Sequence, residues 1–572
     1  MMKRYIALLS IVIAHVAAVC AQHSDTLQRE VTIVREFTPT IRNAEKINTM
    51  PPVSTPAFER QAVNYSYNAI SAEIESAAPE VSHPYGKVMQ PIEKTQLGYF
   101  NFDMGMYLAM AANAGVRIVD TLKDQLAVGV QFTSLDGDVP VGSMMHQGVT
   151  TERHQTFYDV RTGLNYAHIF DNNIRMSLTG AYRFIDFNYY GVSDNPLGEY
   201  PHQQVHNFKV ALTVDNQEAR KYDYEQWRAT AGYEQYGNSN GAYMPMAGCE
   251  HHAFLNGSYD YALNKDWRVG GSVEADYLQY NGIIANHVNV NSLLADNIPF
   301  EPYTQHIFMA RLAPRAEWHN HRAHFRIGAK ADISVGDKTV FRFAPDIRFD
   351  WEFIDNYIFF LHLDGGKQLH TWSDRSKYCL YFDPSKRIPS SYSPIDALGG
   401  LRMRIIPEVS VTLYGGYEVA DEALFQEVGM SPYAITWRSL DATCIKAGVM
   451  IDAHITEYVT LQADAAYREW QHQEMSISYD RPRWEVNATI TAHPIKTVDV
   501  EVEYNMQLDR DFGPEYGKLN DLHNLQAAVK YRPLEWLSVT LHGNNLLNRR
   551  HDYYYGLPAT GIQIMGGVGV KF

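Results

Sequence analysis

The chain has 572 residues, of which 20% are charged and 12% aromatic, and its formal net charge is −16. This acidic balance leaves no basic stripe that could neutralise phosphates, so it excludes nucleic acid as a partner. Tyrosine outnumbers phenylalanine by 38 to 24, and the mean hydropathy is slightly negative. Together these features favour an extracytoplasmic β-protein over a helical enzyme.

Residues 1–21 have the layout of a secretory signal peptide: a short basic start, an apolar stretch and a cut between small residues. The mature chain is therefore predicted to start at Gln22. Cys20 raises the alternative of a lipoprotein. A lipidation site requires a small residue just before the cysteine, and Val19 fits that requirement poorly. Beyond this segment no run of about 18 apolar residues follows, so the sequence predicts no transmembrane helix.

Three further cysteines, Cys249, Cys379 and Cys444, are scattered through the chain. They are too few and too far apart for a disulfide framework, and at most one disulfide bond can form.

The segment 22–96 is rich in Pro, Ala, Ser and Asn and has little hydrophobic periodicity. We expect an extended segment there, with at most a short helix near residues 69–77. It has too few apolar residues to form a folded core of its own.

From about residue 97 onward, apolar and polar residues alternate in many long stretches. In "TVDVEVEYNMQL" the polar set is Asp499, Glu501 and Glu503, and valines occupy the positions between them. A period of two is typical of a β-strand with two unlike faces. These stretches run for about ten residues, whereas strands of soluble proteins average about five or six.

The length of one stretch matches the thickness of a bilayer. In "WRVGGSVEADY", Trp267 and Tyr277 share a face ten residues apart, with Arg268, Glu274 and Asp276 on the opposite face. At about 3.3 Å per residue and a tilt near 40°, the two aromatic rings stand about 25 Å apart along the membrane normal. This pattern predicts one face toward lipid and the other toward a watery lumen.

Ten short polar connections separate the strands, and they predict an all-β, antiparallel transmembrane barrel of about 22 strands over residues 97–572. Longer stretches rich in Gly, Pro and Asn alternate with the short ones and are predicted to form extracellular loops: 187–203, 237–249, 279–302, 370–392 and 420–440. A soluble β-propeller or sandwich is the alternative. The strand length and the lack of a repeat of fixed period argue against it.

The C-terminal stretch "LSVTLHGNNLLNRRHDYYYGLPATGIQIMGGVGVKF" resembles the end of TonB-dependent receptor barrels of the Gram-negative outer membrane. The resemblance implies that outer-membrane lipid surrounds the barrel and that the barrel-insertion machinery is a partner. It also implies an assembly signal formed by Ile564, Val568, Val570 and Phe572.

A second resemblance lies near the predicted mature start. The segment Glu30, Val31, Thr32, Ile33 and Val34 resembles a TonB box, which implies TonB as a partner. The alternative is a strand or tether in the periplasmic mouth of the barrel.

The chain departs from this family in its N-terminal part, because receptors of that type carry a plug of well over a hundred residues and segment 22–96 is shorter. A barrel of 22 strands is normally filled. We expect the N-terminal segment, an inward-folded loop or a partner protein to occlude the lumen. The sequence therefore predicts a plug-less, receptor-like barrel acting in transport across the outer membrane. The alternative is an accessory or scaffold subunit of an envelope assembly or secretion complex, with other envelope proteins as partners.

Four groups of residues have side chains that could bind metal or take part in catalysis. None of them predicts a catalytic, metal or cofactor site, so no enzyme is expected. The segment "GNSNG" at 237–241 matches a nucleophile pattern but is predicted to lie in a loop. The carboxylates on "TVDVEVEY" are what any lumen-facing strand requires. A predicted loop brings together soft-metal ligands, for which solvated residues are the simpler interpretation: Met244, Met246, Cys249, His251 and His252. A predicted tight turn carries His319, His321 and His324.

Overall fold

The computed structural model describes thirteen stretches of the chain: 97–141, 151–188, 202–216, 224–240, 248–285, 300–336, 339–382, 388–428, 435–473, 475–477, 481–511, 517–554 and 557–572. The predicted signal peptide 1–21, the segment 22–96 with its TonB-box-like residues Glu30–Val34, and Met244 and Met246 lie outside these residues.

The described residues form one closed antiparallel β-barrel of 22 strands, as the sequence predicts. The first thirteen strands are β1 (Gly98–Gly105), β2 (Met110–Asp120), β3 (Asp124–Val141), β4 (Thr151–Ile169), β5 (Arg175–Asn188), β6 (His202–Asp215), β7 (Glu225–Asn240), β8 (Gly248–Ala262), β9 (Trp267–Ala285), β10 (Phe300–His319), β11 (Ala323–Val335), β12 (Thr339–Ile354) and β13 (Tyr357–Gln368).

The remaining strands are β14 (Ser391–Ile406), β15 (Val409–Val428), β16 (Ile435–Thr456), β17 (Val459–His472), β18 (Met475–Ile477), β19 (Trp484–Ile495), β20 (Val498–Leu508), β21 (Leu522–Leu534), β22 (Leu537–Asn544), β23 (Asp552–Tyr554), β24 (Leu557–Pro558) and β25 (Gln563–Lys571). Strand β18 only extends the edge of β17, and β23 and β24 form a separate hairpin. A 3₁₀ turn (Met106–Leu108) and helix α1 (Trp372–Ser376) complete the elements. Neither of these two helices, the only ones in the described stretches, is long and apolar enough to cross a membrane.

Strands β1 and β25 pair with each other and close the barrel. At the seam, Gly98 N–H donates to the Phe572 carbonyl oxygen at 2.9 Å, and Phe572 N–H donates to the Gly98 carbonyl oxygen at 3.0 Å. Because the ring is closed, no sheet edge is left unpaired at this point.

The ten predicted short connections all join consecutive strands at one end of the barrel, which we call the short-turn rim. They lie between the strands at 121–123, 170–174, 216–224, 263–266, 320–322, 355–356, 407–408, 457–458, 496–497 and 535–536. Phe572 ends at the same rim. The opposite end, where the other connections lie, is the long-loop rim.

Several predicted loops are shorter than the sequence indicated, because the strands continue past the apolar band. Strand β9 reaches Ala285 and β15 reaches Val428, inside the predicted loops 279–302 and 420–440. The part of "GNSNG" that the structure describes also belongs to a strand, β7. The prediction of a loop at that point was therefore wrong.

The two faces of the barrel wall differ as the alternation predicts. Trp267, Val273 and Tyr277 are 43%, 50% and 41% exposed and lie on one face of β9. Arg268 and Glu274 lie on the opposite face, where Arg268 donates to Gln226 of β7 and Glu274 accepts from Arg311 of β10. Since charged groups are costly in hydrocarbon, the aromatic and aliphatic face is the outer one.

Candidate functional site

The connection between β13 and β14, residues 369–390, is called the β13–β14 loop. Its described parts, 369–382 and 388–390, fold into the barrel instead of projecting from the long-loop rim. Its helix α1 begins at Trp372, which is fully buried. Leu278 and Tyr280 are also fully buried, and they lie on the lumen face of β9. An apolar cluster joins the loop to the inner wall: Ile185, Phe187, Val205, Tyr236, Leu278, Tyr280, Ile307, Trp372, Phe382, Ile388 and Leu424.

Local sequence explains why a helical turn forms at this point. Thr371 is the N-cap residue, and its Oγ1 accepts a hydrogen bond from the Asp374 N–H at 3.0 Å. A threonine at this position satisfies an N–H that the first turn leaves unpaired. Gly366, with φ of 115°, lies just before the loop at a register shift between β13 and β14, so the chain can bend away from the wall there.

Two buried carboxylates of the wall hold the start of the helix. Glu250 on β8 accepts a hydrogen bond from the Trp372 N–H at 2.7 Å. Ser373 donates its hydroxyl hydrogen to Glu234 on β7, and Asn207 on β6 donates to Ser373 Oγ at 2.7 Å. Because a buried carboxyl group costs desolvation energy unless it is hydrogen-bonded, these contacts fix where the loop docks.

His370 locks the base of the loop to β14. Its Nε2 lies 2.6 Å from Ser391 Oγ, and Arg375 donates to its Nδ1 at 2.8 Å. Burial, together with the positive charges of Arg375 and Arg481, lowers the pKa of His370 to about 3. The ring is therefore neutral at physiological pH, with Nδ1 as the acceptor and Nε2 as the donor to the serine.

The second half of the loop contacts other parts of the wall. Tyr381 packs edge-on against Phe187 of β5, with 5.0 Å between ring centroids, and its carbonyl accepts from the Ile435 N–H of β16 at 2.8 Å. Phe382 forms an isolated bridge with Ile435 and lies 6.2 Å from the ring of Tyr236. The loop thus reaches from β13 across the lumen to β5, and back to β16.

Paired charges line the lumen wall beside the loop. Arg311 donates to Asp332 at 2.6 Å, and Asp332 also accepts from the Lys367 N–H at 2.7 Å. Lys446 bonds Glu418 at 2.6 Å and Asp396 at 2.9 Å. This wall is polar and suits a water-filled passage.

The predicted soft-metal ligands do not converge. Cys249, His251 and His252 belong to strand β8 and not to a loop, so the prediction of a loop was wrong. Alternation turns Cys249 and His251 outward, with Sγ and Nε2 3.4 Å apart, and turns His252 inward onto Asp276 at 2.8 Å. No group of three or more His, Cys, Asp or Glu side chains within the described stretches could hold a metal ion.

The other residues singled out in the sequence have ordinary structural contacts. Asp499 accepts hydrogen bonds from Arg532 at 2.8 Å and lies 2.8 Å from His493 Nδ1. His324 pairs loosely with Glu317 and Asp350, beside the predicted turn. Cys249, Cys379 and Cys444 are free thiols.

The four residues of the predicted assembly signal lie at the seam of the barrel. Ile564 and Val568 are 44% and 48% exposed on the outer face of β25, Val570 shares that face, and Phe572 is 63% exposed just past the strand. Their role as a signal stays a prediction.

The β13–β14 loop was predicted only as one of several extracellular loops, and an inward-folded loop was one of three candidates for closing the lumen. The sequence nevertheless contained an indication that this loop is buried. The stretch "TWSDRSKYCLYF" carries five large apolar or aromatic side chains within twelve residues, which is unusual for a loop exposed to water.

No protein-family model matches the sequence, and no curated protein matches it. Many solved structures share its fold. The FrpB iron transporter from Neisseria meningitidis is 10% identical with a TM-score of 0.64, over 85% of this chain and 83% of that one. The copper transporter OprC is 11% identical with a TM-score of 0.61, over 83% and 80%. The ferric enterobactin receptor PfeA from Pseudomonas aeruginosa, a mutant form, is 9% identical with a TM-score of 0.62, over 83% and 80%.

At this level of identity the likeness is one of fold. A closed barrel of 22 strands with an apolar outer face belongs in the outer membrane of a Gram-negative cell. In such barrels the short turns face the periplasm and the long loops face outward. The β13–β14 loop therefore enters the lumen from the extracellular side.

Proposed function

We propose that the chain acts in transport across the outer membrane, as a barrel whose lumen the β13–β14 loop closes until a solute is admitted. The observation that carries this proposal is the packing of Trp372 and Phe382 inside the lumen. A barrel of 22 strands would leak if it were empty, and this loop provides a barrier made of the chain itself. The polar wall beside it provides a surface along which a hydrated solute can pass.

The contacts of the loop suit a movable barrier. Its attachment includes an apolar cluster and side-chain hydrogen bonds to Glu234, Glu250 and Ser391. The barrel wall, in contrast, is held by continuous ladders of backbone hydrogen bonds. The loop can therefore leave the wall at a much lower free-energy cost than any strand.

The solved structures that share the fold include an iron transporter and a copper transporter by name. We therefore propose a metal ion or a metal complex as the first solute class to examine. The TonB-box-like residues Glu30–Val34 would couple uptake to TonB, and this part of the proposal rests on the sequence alone.

A reversible lock on the loop tests the proposal. Asn207 and Ser373 touch through their side chains at 2.7 Å, so Asn207→Cys and Ser373→Cys place two thiols on facing positions, and titration of free thiols in the oxidised protein verifies that a disulfide forms. Cells expressing the wild type should accumulate more copper or iron from CuCl₂ or ferric citrate than cells with an empty vector. The oxidised double variant should lose this gain and recover it on reduction.

Each single cysteine variant is the control, because it cannot form the bridge. Equal metal accumulation in wild-type and empty-vector cells would contradict the proposed solute class. Isolation of a stoichiometric complex with other envelope proteins, together with an absence of flux, would favour the accessory-subunit alternative instead.

A further inference from the structure

A tyrosine and a histidine form the same hydrogen-bonded pair on four hairpins of the barrel; we call these the Tyr–His pairs. The distances from Tyr Oη to His Nδ1 are 2.8, 2.7, 2.7 and 2.9 Å in the pairs Tyr182–His206, Tyr233–His251, Tyr277–His306 and Tyr504–His523. None of these histidines belongs to the lumen site described above.

The four pairs have the same geometry. Each histidine lies two residues before the residue that is directly opposite the tyrosine on the neighbouring strand. For example, Phe308 lies opposite Tyr277, and His306 comes two residues before Phe308. The ring centroids lie 5.9 to 6.4 Å apart, with interplanar angles of 23 to 34°. Such diagonal neighbours on one face of a sheet are within reach of aromatic side chains. The Tyr–His pair is therefore a recurrent feature of the barrel wall.

The pairs lie on the outer face, near the extracellular edge of the apolar band. Tyr277 stands about 25 Å above Trp267 along the membrane normal, which is the height of the band. Three of the pairs occupy the consecutive hairpins β5–β6, β7–β8 and β9–β10. They form a row with steps of about 10 Å across the strands, at the level of the outer-leaflet headgroups.

The hydrogen bond at Nδ1 orients each ring and leaves Nε2 as the other polar atom. In the tautomer in which the tyrosine hydroxyl donates to Nδ1, the neutral ring carries its hydrogen on Nε2, and a protonated ring also has a hydrogen there. Among the described residues, Nε2 has no hydrogen-bond partner in His206, His306 and His523. His251 differs, because its Nε2 lies 3.4 Å from Cys249 Sγ.

We propose that the Tyr–His pairs bind the phosphate groups of outer-leaflet lipids. Each Nε2–H is a donor held at headgroup depth, and phosphate oxygens are the strongest acceptors there. The surface is continuous with the lipid-facing wall, so its occupant is a lipid and not a soluble protein. An ordinary aromatic girdle needs only the rings and makes no distinction between headgroups.

Native mass spectrometry of the purified full barrel tests this inference. The protein is incubated with dioleoyl phosphatidic acid or with a dioleoyl glucosyl glycerolipid that lacks phosphate. The triple variant His206→Phe, His306→Phe and His523→Phe keeps the rings and removes the N–H donors. We expect its retention of phosphatidic acid to fall by about tenfold and its retention of the glucolipid to stay unchanged.

His319→Phe with His321→Phe, at the short-turn rim, is the matched control and should leave both lipids unaffected. The heat-dependent gel mobility of each variant verifies that the barrel is closed. If the variant fails to close, Tyr182→Phe with Tyr277→Phe replaces it, since loss of the hydroxyl frees the ring to turn and should lower phosphatidic acid retention. Equal retention of the two lipids by the wild type, or unchanged retention by the variants, would overturn the inference.

Discussion

At the scale of single residues, the docking of the β13–β14 loop depends on polar contacts buried among apolar side chains. Ser373 is 4% exposed and donates a hydrogen bond to Glu234. Glu250 is 1% exposed and accepts a hydrogen bond from the Trp372 N–H. A buried acceptor that loses its donor costs about 1 to 3 kcal/mol. These few contacts therefore decide whether the loop stays docked.

Replacing Ser373 by alanine should loosen the loop. The variant leaves Glu234 without one donor, and the expected cost to docking is about 1 to 2 kcal/mol. Hydrogen exchange of the Trp372 amide should then quicken by about tenfold. Ser272→Ala, on the lumen face of β9 nearer the short-turn rim, should leave that rate unchanged. An unaltered Trp372 rate in Ser373→Ala would mean that the hydroxyl does not hold the loop.

Acid should also loosen the loop, through His370. Burial lowers its pKa to about 3 in the docked state, while an undocked histidine keeps a pKa of about 6.5. The undocked state therefore binds more protons between these values, and docking loses stability as the pH falls from about 6.5 toward 3. Exchange of the Trp372 amide, corrected for the intrinsic effect of pH and compared with that of His370→Asn at the same pH, should rise over that window.

His370→Asn removes this titrating group and keeps Glu234 and Glu250, which also face the helix. The difference between the pH profiles of the wild type and the variant therefore isolates the contribution of His370. An identical pH profile in the wild type and in His370→Asn would exclude His370 as the sensor.

At the scale of elements, alternation and turn composition were enough to predict the strands and their connections. All ten short turns were located correctly. Each strand next to a short turn has one face toward lipid, so its sequence alternates strictly and the turn stands out as a break in that alternation. The upper strand ends were missed because both faces are polar or covered there. Asn238 on β7 and Gln426 on β15 are buried polar residues above the band, where no hydropathy contrast marks a strand.

The seam strand β25 provides a test of close packing. A Cβ added to Gly567 would lie 2.0 Å from Asp103 Oδ1 and 2.5 Å from the Phe102 carbonyl oxygen, whereas one added to Gly566 meets nothing nearer than 3.8 Å. Gly567→Ala should therefore destabilise the seam by about 1 to 3 kcal/mol. Gly566→Ala, on the lipid face of the same strand, is the matched control.

The temperature at which the folded gel band is lost measures the effect. It should fall for Gly567→Ala and stay within error for Gly566→Ala. Equal temperatures for the two variants would show that the seam accommodates the added methyl group.

At the scale of the whole molecule, the fold followed from the sequence but the docking of the β13–β14 loop inside the lumen did not. The number of strands follows from local signals that each hairpin carries. The docking of the β13–β14 loop depends instead on contacts between distant segments, such as Trp372 with Tyr280 and Phe382 with Tyr236. No periodicity encodes these contacts. Only the apolar content of the loop pointed to a buried position.

Single-channel conductance in a planar bilayer tests the closure of the lumen most directly. Gln368 of β13 pairs with Ser391 of β14, so a Gly-Ser linker of about four residues can replace 370–389 without disturbing the hairpin. Val428 likewise pairs with Ile435, and the same replacement of 429–434 is the matched control. We expect the wild type and the control to conduct little and the variant without the β13–β14 loop to open a large, steady pore. A wild type that already conducts as much as this variant, or a variant that stays closed, would contradict it.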